Sequence, residues 1–376
     1  MKIGLTCYPT YGGSGAVATE LGIALAARGH EVHFISYEHP FRLPHFLPRV
    51  YFHEVSIGTY PLFEYPPYDL ALAVRMHDVV LAHELDLLHV HYAIPHATSA
   101  WIAKEMLREQ GRRLPVVTTL HGTDITIVGQ DQSYRAITHF SIEKSDRITA
   151  VSEWLRAETI STFACECPVE VIPNFVDPTV FDRARHGTAL REELGGGLPV
   201  LMHISNFRPV KRVCDVVRIF ARVRASRPCV LVMVGDGPDR HAAEEEARRL
   251  GVFGDVRFLG KIDSVAPLLA AADVYVFPSE SESFGLSALE ALASGVPVVA
   301  AKVGGVPEVV RDGVTGALLP LGDIDGMADA TARFLEPTAW AAASAAACAD
   351  ARARFATADV VARYEALYAD ARADVR

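Results

Sequence analysis

Short apolar runs alternate with longer stretches of helical spacing along the whole chain. Lys2 to Cys7, Glu31 to Ser36, Leu87 to His91, Pro115 to Leu120, Arg147 to Ala150 and Val169 to Ile172 predict strands. Gly15 to Arg28, Asp69 to Glu84 and Ile94 to Gln110 predict helices between them. Apolar runs separated by helices indicate βαβ units, whose parallel strands are buried on both faces. The rhythm breaks at Pro173-Asn174-Phe175-Val176-Asp177-Pro178, and Gly195-Gly196-Gly197 also reads as linker. It restarts with strands at Pro199 to Ile204, Cys229 to Val234, Asp255 to Leu259, Val274 to Pro278 and Pro297 to Ala300. The prediction is α/β: two Rossmann-like, doubly wound domains, residues 1–173 and 174–356, facing a cleft. A last helix from Thr357, within residues 357–376, is free to pack back on the first domain. Open α/β sheets bind ligands beyond the carboxyl ends of their strands, so chemistry is sought there.

Composition narrows the partners. The chain has 376 residues, enough for two cores. Its net charge of -10, without a long basic run, excludes general nucleic-acid binding, so any bound phosphate must meet a local cation cluster. No run of roughly 18 apolar residues is present to span a membrane. Met1 to Thr6 reads as a strand, not a signal peptide. The basic stretch Trp101 to Arg113 is expected to be a solvated helix face, not a stable membrane contact. Six scattered cysteines, with Cys165 and Cys167 the closest pair, fit a reduced, cytoplasmic protein. Homo-oligomer formation is compatible with the sequence.

Several strand ends carry reactive residue types. Gly12-Gly13-Ser14-Gly15 follows the first strand and opens a helix, where backbone N–H groups can approach an anion or a sugar. Gly13 to Ala18 also fits the G-x-G-x-x-A dinucleotide pattern, with Glu38 after the second strand. Tyr8 to Tyr11, however, separate strand and glycines. His121-Gly122-Thr123-Asp124 ends a buried strand. Arg208 and Lys211 stand three apart after another strand, so both can point toward one anion at a helix start. A leaving diphosphate needs such cations. Gly235-Asp236-Gly237-Pro238 alone reads as a tight turn. Glu282-Ser283-Phe284-Gly285-Leu286 leads into a helix bearing Glu290. Its Gly285 and Leu286 N–H groups can hold phosphate, Glu290 can accept from ribose hydroxyls, and Glu282 can face a sugar. Asp323-Ile324-Asp325 is expected to cap a helix, not hold a metal. The pair His89, His91 lacks the further ligands of a zinc site.

Taken together, Glu282-x7-Glu290 with Phe284-Gly285-Leu286, Arg208-x-x-Lys211 and His121-Gly122-Thr123-Asp124 resemble the family 4 retaining glycosyltransferases over nearly the whole chain. The resemblance implies the two-domain GT-B fold and a metal-independent hexosyl transfer with no cofactor. It implies that Arg208 and Lys211 hold the diphosphate, Glu290 the ribose and Glu282 the donor sugar near its 3-hydroxyl. His121 would lie near the sugar 6-hydroxyl, and the uracil near Lys261 and Ile262. Gly13, Ser14, Gly15, Asn206, Gly235, Phe284, Gly285 and Leu286 complete the expected donor set. The loops Cys7 to Gly15 and Val90 to Ala97 are similar to those of a bacillithiol-pathway branch, which implies UDP-N-acetylglucosamine as donor and L-malate as acceptor. Ser14, Tyr92 and Thr119 are the expected acceptor contacts, with Arg42, Arg49 and Arg75 as charge partners. An inositol phosphate or a sugar is the alternative acceptor. An NAD-dependent oxidoreductase and a non-catalytic nucleotide-sugar-binding module are the alternatives of other classes.

Overall fold

Two parallel sheets organise the protein, seen in a computed structural model that describes residues 1–10, 12–58, 65–186 and 189–375. In chain order the first unit contains β1 (Lys2–Thr6), α1 (Gly13–Ala27), β2 (Glu31–Ser36), β3 (Val50–Glu54), α2 (Tyr68–His83), β4 (Leu87–His91) and α3 (Thr98–Glu109). It continues with β5 (Val116–Leu120), α4 (Thr123–Thr126), α5 (Arg135–Glu143), β6 (Arg147–Ala150), α6 (Glu153–Phe163) and β7 (Val169–Val171). The sheet order is β3-β2-β1-β4-β5-β6-β7, all parallel, with the order reversing between β1 and β4.

The second unit begins with α7 (Arg183–His186) and α8 (Ala189–Gly195), then β8 (Val200–Ile204), α9 (Val213–Ser226), β9 (Val230–Val234), α10 (Arg240–Arg249) and β10 (Val256–Gly260). It closes with α11 (Ala266–Ala271), β11 (Val274–Phe277), α12 (Leu286–Ala293), β12 (Val298–Ala301), α13 (Val306–Val309), β13 (Gly316–Leu319), α14 (Ile324–Phe334) and α15 (Pro337–Phe355). Its sheet runs β10-β9-β8-β11-β12-β13, again parallel and reversing at its middle, between β8 and β11. Four of these strands, β8, β9, β11 and β12, are largely apolar runs with Val in each and buried throughout, as strands covered on both faces must be.

One unit comprises Met1–Pro173 with Ala358–Arg376, the other Asn174–Thr357. The last helix, α16 (Thr357–Val375), therefore belongs to the first unit. Its Val360, Val361, Tyr364, Leu367, Tyr368 and Ala371 are buried at helical spacing. The segments by which the chain enters and leaves the second unit pair: Val176 N–H donates to Phe355 O at 2.9 Å and Thr357 N–H to Val176 O at 3.2 Å. The glycines expected to link the domains do something else. Gly195 ends α8, and Gly196 and Gly197, at φ 56° and 83°, turn the chain into β8 inside the second unit.

The helix expected from Ile94 also starts later. Ile94 is extended at φ -131°, because a residue before proline is pushed out of the helical region, and α3 runs from Thr98. Basic residues of the stretch Trp101 to Arg113 are spent inside the unit: Lys104 pairs with Asp146 at 2.7 Å and Arg112 donates to Leu85 O at 2.8 Å.

Candidate functional site

In the second unit the residues singled out after β8 and β11 come together. Lys211 Nζ donates to Glu282 Oε1 at 2.6 Å, with side chains 20% and 11% exposed. Backbone bonds join the two segments. Glu280 N–H donates to Val210 O at 2.8 Å, and Gly305 N–H to Glu282 O at 2.9 Å. A Cβ on Gly304 would stand 2.0 Å from Glu282 O, so this turn requires glycine. Phe284 is buried edge-on against Phe355, ring centroids 5.6 Å apart, and anchors the loop. Gly285 then takes φ 99° and starts α12, with no side chain capping its first N–H groups. Glu290 is buried at 4%, one turn into that helix.

The sequence expectation for Arg208 and Lys211 needs correcting. They do not lie in the first turn of α9: Arg208 precedes and Lys211 ends a 3₁₀ turn, Pro209–Lys211, which Arg212 at φ 51° separates from the helix. Arg208 is exposed and makes no ion pair among the described residues, whereas Lys211 is engaged by Glu282. An ammonium has three donors, so two remain for an anion.

The loops carrying Asn206 and Gly235 meet through backbone. A Cβ on Gly235 would lie 1.8 Å from Ser205 O, and one on Gly237 2.1 Å from Asn206 O. The glycine turn after β9 thus exists to let the post-β8 loop pack on it. Gly235 N–H donates to Gly260 O at 2.7 Å, which ties in the strand that precedes Ile262. Beneath lies His203, whose Nδ1 donates to Val276 O at 2.9 Å and whose Nε2 meets Ser205 Oγ at 2.8 Å. Burial pushes its pKa down to about 4. Asp323 caps α14 by accepting from Gly326 N–H at 2.9 Å, and Asp325 pairs with Arg222 at 3.0 Å.

In the first unit the strand ends carry neutral polar groups. Ser14, in the first turn of α1, accepts from Tyr92 OH at 2.9 Å, so two of the three expected acceptor contacts are neighbours. Gly13 is exposed beside it. Gly15 is obligatory, because its Cβ would lie 2.7 Å from Tyr8 O. Tyr11 lies outside the described residues. His121 Nε2 and His91 Nδ1 are 2.7 Å apart, one donating and one accepting, and burial pushes His121 down to about 3. His89 shares its two nitrogens between Tyr368 OH and Thr119 Oγ1, each at 2.7 Å.

Thr119 is the misread residue. It is fully buried, bonded to His89 and, at 2.7 Å, to Thr149 Oγ1, on the sheet face that the α16 tyrosines cover. It cannot reach an acceptor. Of the expected arginines, one falls at the wrong end of the sheet. Arg49 lines a hollow with Met1, Lys2, Glu31 and Asp86, at the amino ends of the strands. Arg75 sits against His53, and the Arg42 guanidinium lies 5.5 Å over the Phe41 ring.

Asp124 holds the post-β5 turn, a role the sequence reading passed over. Its carboxylate accepts from Ala93 N–H at 3.0 Å, Gly122 N–H at 2.9 Å and His121 N–H at 3.3 Å. Burial nevertheless raises it to about 6. An acidic residue two after a glycine at a strand end is the signal that could have found it. A cavity of about 440 Å³ opens beside it, lined by Tyr8, Tyr68, Tyr92, Pro95 and Thr123 among others. Tyr8 contacts Tyr92 and His96, and its phenol is pushed up to about 12 by burial.

Comparison with known proteins agrees with this architecture. Glycosyltransferase Family 4 matches residues 11–180 and Glycosyl transferases group 1 matches residues 198–337. The chain is 49% identical over 338 residues to the N-acetyl-alpha-D-glucosaminyl L-malate synthase of Bacillus anthracis, covering 89% of this chain and 88% of the relative. It is 30% identical over 370 residues to the D-inositol 3-phosphate glycosyltransferase of Mycobacterium avium, covering 91% and 85%. Anabaena HepE, solved with UDP-glucose, superposes with a TM-score of 0.80 at 23% identity over 98% of this chain and 100% of that one. Sucrose-phosphate synthase from Thermosynechococcus elongatus gives 0.79 at 23% identity over 98% of each. The protein is a GT-B glycosyltransferase and belongs to glycosyltransferase family 4. No helix among the described residues is long and apolar enough to cross a membrane.

Proposed function

We propose that the protein is a retaining transferase that moves N-acetylglucosamine from UDP-N-acetylglucosamine to L-malate, the first step of bacillithiol synthesis. The observation that carries the substrate pair is the 49% identity over 89% of the chain to the Bacillus anthracis enzyme whose name states that product. The inositol phosphate transferases stand further off, at 30–32%. The Lys211–Glu282 pair beside the start of α12 supports the donor half.

On this reading Arg208, Lys211 and the Gly285 and Leu286 N–H groups hold the diphosphate, Glu290 the ribose, and Glu282 and His121 the sugar. Lys261 and Ile262 take the uracil. Asn206 and Gly235 shape the diphosphate loop. The malate hydroxyl attacks C1 from the face that UDP leaves. The C1–O bond to phosphate breaks as the new bond forms, and the departing phosphate takes the hydroxyl proton. Negative charge grows on the diphosphate, so cations and N–H dipoles fixed there lower the barrier. They do the work a metal would otherwise do. Catalysis is therefore metal-independent on this reading, and it runs in the cytoplasm on small-molecule substrates, without nucleic acid or a stable membrane partner.

The test is UDP release with UDP-N-acetylglucosamine and malate, lactate, succinate or inositol phosphate side by side, with chelator added at assay time in a parallel set. A site that pairs two carboxylates leaves buried donors unpaired when one is missing, at roughly 1.5–3 kcal/mol per charged bond. Malate should outpace lactate by roughly tenfold or more, and chelator should leave the rate unchanged. Faster turnover of inositol phosphate would move the acceptor assignment and leave the transferase class standing. Loss with chelator that manganese restores would end the metal-independent mechanism.

A further inference from the structure

Away from these residues, four potential ligands converge in the first unit. His139 and Glu143 stand one helical turn apart on α5 and so share a face. Their Nε2 and Oε1 are 3.8 Å apart. α6 ends at Phe163 and Ala164 adopts the left-handed conformation, which turns the chain back toward α5. The connection to β7 then reads Cys165-Glu166-Cys167-Pro168. The Cys165 thiol, the His139 imidazole and the Glu143 carboxylate each offer a ligand atom, all within 4.8 Å of one another. The Cys167 thiol is in hydrogen-bonding contact with both Cys165 and Glu143. Glu166 N–H donates to Glu143 Oε1 at 3.1 Å and fixes the Cys-x-Cys loop over the helix. Cys165 is buried, while the His139 side chain is 46% exposed, so the cluster has a wall and a mouth.

From this convergence we propose that Cys165, Cys167, His139 and Glu143 form a structural zinc site that clamps the α6–β7 connection onto α5. Two thiolates, an imidazole and a carboxylate make a borderline-soft, four-coordinate set, and four protein ligands leave no open position for catalysis. Tetrahedral zinc at its usual bond lengths places ligand atoms about 3.3–3.8 Å apart. The His139–Glu143 spacing is close to that, Cys165 lies within 4.8 Å of both, and Cys167, in contact with Cys165 and Glu143, turns inward to complete the set. Binding displaces one proton from each thiol to solvent. The site is independent of sugar transfer: none of the four residues has a role in the proposed reaction.

The test reads metal, not turnover. Protein expressed with zinc and purified reduced should carry one zinc per chain by elemental analysis. The stripped chain, titrated with cobalt(II) without oxygen, should develop a thiolate-to-cobalt charge-transfer band that zinc abolishes. Zinc should also raise the Tm of the stripped protein. The double variant Cys165→Ser/Cys167→Ser should lose the zinc and the band. His139→Ala, a change at a half-exposed position, should keep its fold by circular dichroism and bind at least tenfold more weakly. A reduced wild-type chain with no charge-transfer band overturns the site, and that reading needs no variant. Zinc content unchanged in the double variant overturns it too. So does a chain in which Cys165 and Cys167 bond to each other in air and, once reduced again, take up no zinc.

Discussion

The two units are furnished differently. Among the described residues the first unit buries five histidines, His33, His89, His91, His96 and His121, and the second buries one, His203. The first unit meets its polar demand with neutral rings that bond to one another, to hydroxyls and to backbone. The second keeps charge at its site, in the loop-borne pair of Lys211 with Glu282, left partly in solvent, and in Glu290. Burial explains both. An imidazole can shed its proton and stay inside, whereas an ammonium and a carboxylate needed as charges must pair near the surface. The second arrangement suits a ligand that brings its own charge, such as a diphosphate. The first suits hydroxyls.

Acid should separate the units most strongly. Desolvation holds His89 and His121 down to about 3 and His96 to about 4, with His33 lowered and His91 lowered further. The unfolded chain binds these protons near pH 6.5 and the folded chain does not, so stability is full above 6.5 and falls as pH drops toward 3–4. Asp124, raised to about 6, works oppositely for one proton. Each net proton is worth about 1.4 kcal/mol per pH unit, so several histidines held neutral together draw on a large share of a domain's stability. Hydrogen exchange between pH 7 and 5 should show the first unit opening while the second, with His203 alone, persists. Equal protection of both units at pH 5 would contradict the neutral cluster.

Kinetics probes the charged side. Lys211→Ala and Arg208→Ala should each lower kcat by roughly 10²–10³-fold, as for a lost oxyanion donor. Lys211→Ala also strips Glu282 of its cation, so Lys211→Ala/Glu282→Gln discriminates. If turnover returns in the double variant, Lys211 serves only Glu282 and the diphosphate assignment falls. Glu290→Gln should act less strongly. Ribose does not react, so the change is in uniform binding: donor KM rises by roughly ten- to a hundredfold and kcat changes little. Unchanged UDP affinity would place Glu290 elsewhere.

What the sequence made legible follows the same divide. The buried parallel strands stand out as Val- and Leu-rich runs, but the edge strands β3 and β13 do not. Val50–Glu54 is an edge strand with no fully buried residue and a single Val, and Gly316–Leu319 is four residues opening on glycine. The charged motifs were legible because Lys, Arg and Glu at strand ends have few structural uses. Their pairing was not: Lys211 and Glu282 lie 71 positions apart. Thr119 was misread because strand alternation says that Thr118 and Thr119 face opposite ways but not which face is covered. The cover is α16, which returns from the far end of the chain and seats Tyr364 and Tyr368 on that face. Ser14 and Tyr92 are both partly exposed, unlike Thr119.

The smallest effect expected is at Tyr92, and it tests whether the neutral side of the comparison touches substrate. Its hydroxyl donates to Ser14 Oγ at 2.9 Å, and burial raises the phenol well above its usual range, so it stays a neutral donor at any working pH. Tyr92→Phe removes the neutral hydrogen bonds of this hydroxyl, to Ser14 and Thr123, and keeps the ring that packs on Tyr8 and His121. Such a bond is worth roughly 0.5–1.5 kcal/mol net. The KM for malate should therefore rise about two- to twelvefold, with donor KM and Tm close to wild type. Ser14→Ala, at the other end of the bond, should give a similar rise. The double variant should fall short of the product of the two, because one shared network is lost only once. An unchanged malate KM in both single variants would mean that the Ser14–Tyr92 pair only fixes the start of α1, and the acceptor contacts would have to be sought elsewhere in the first unit.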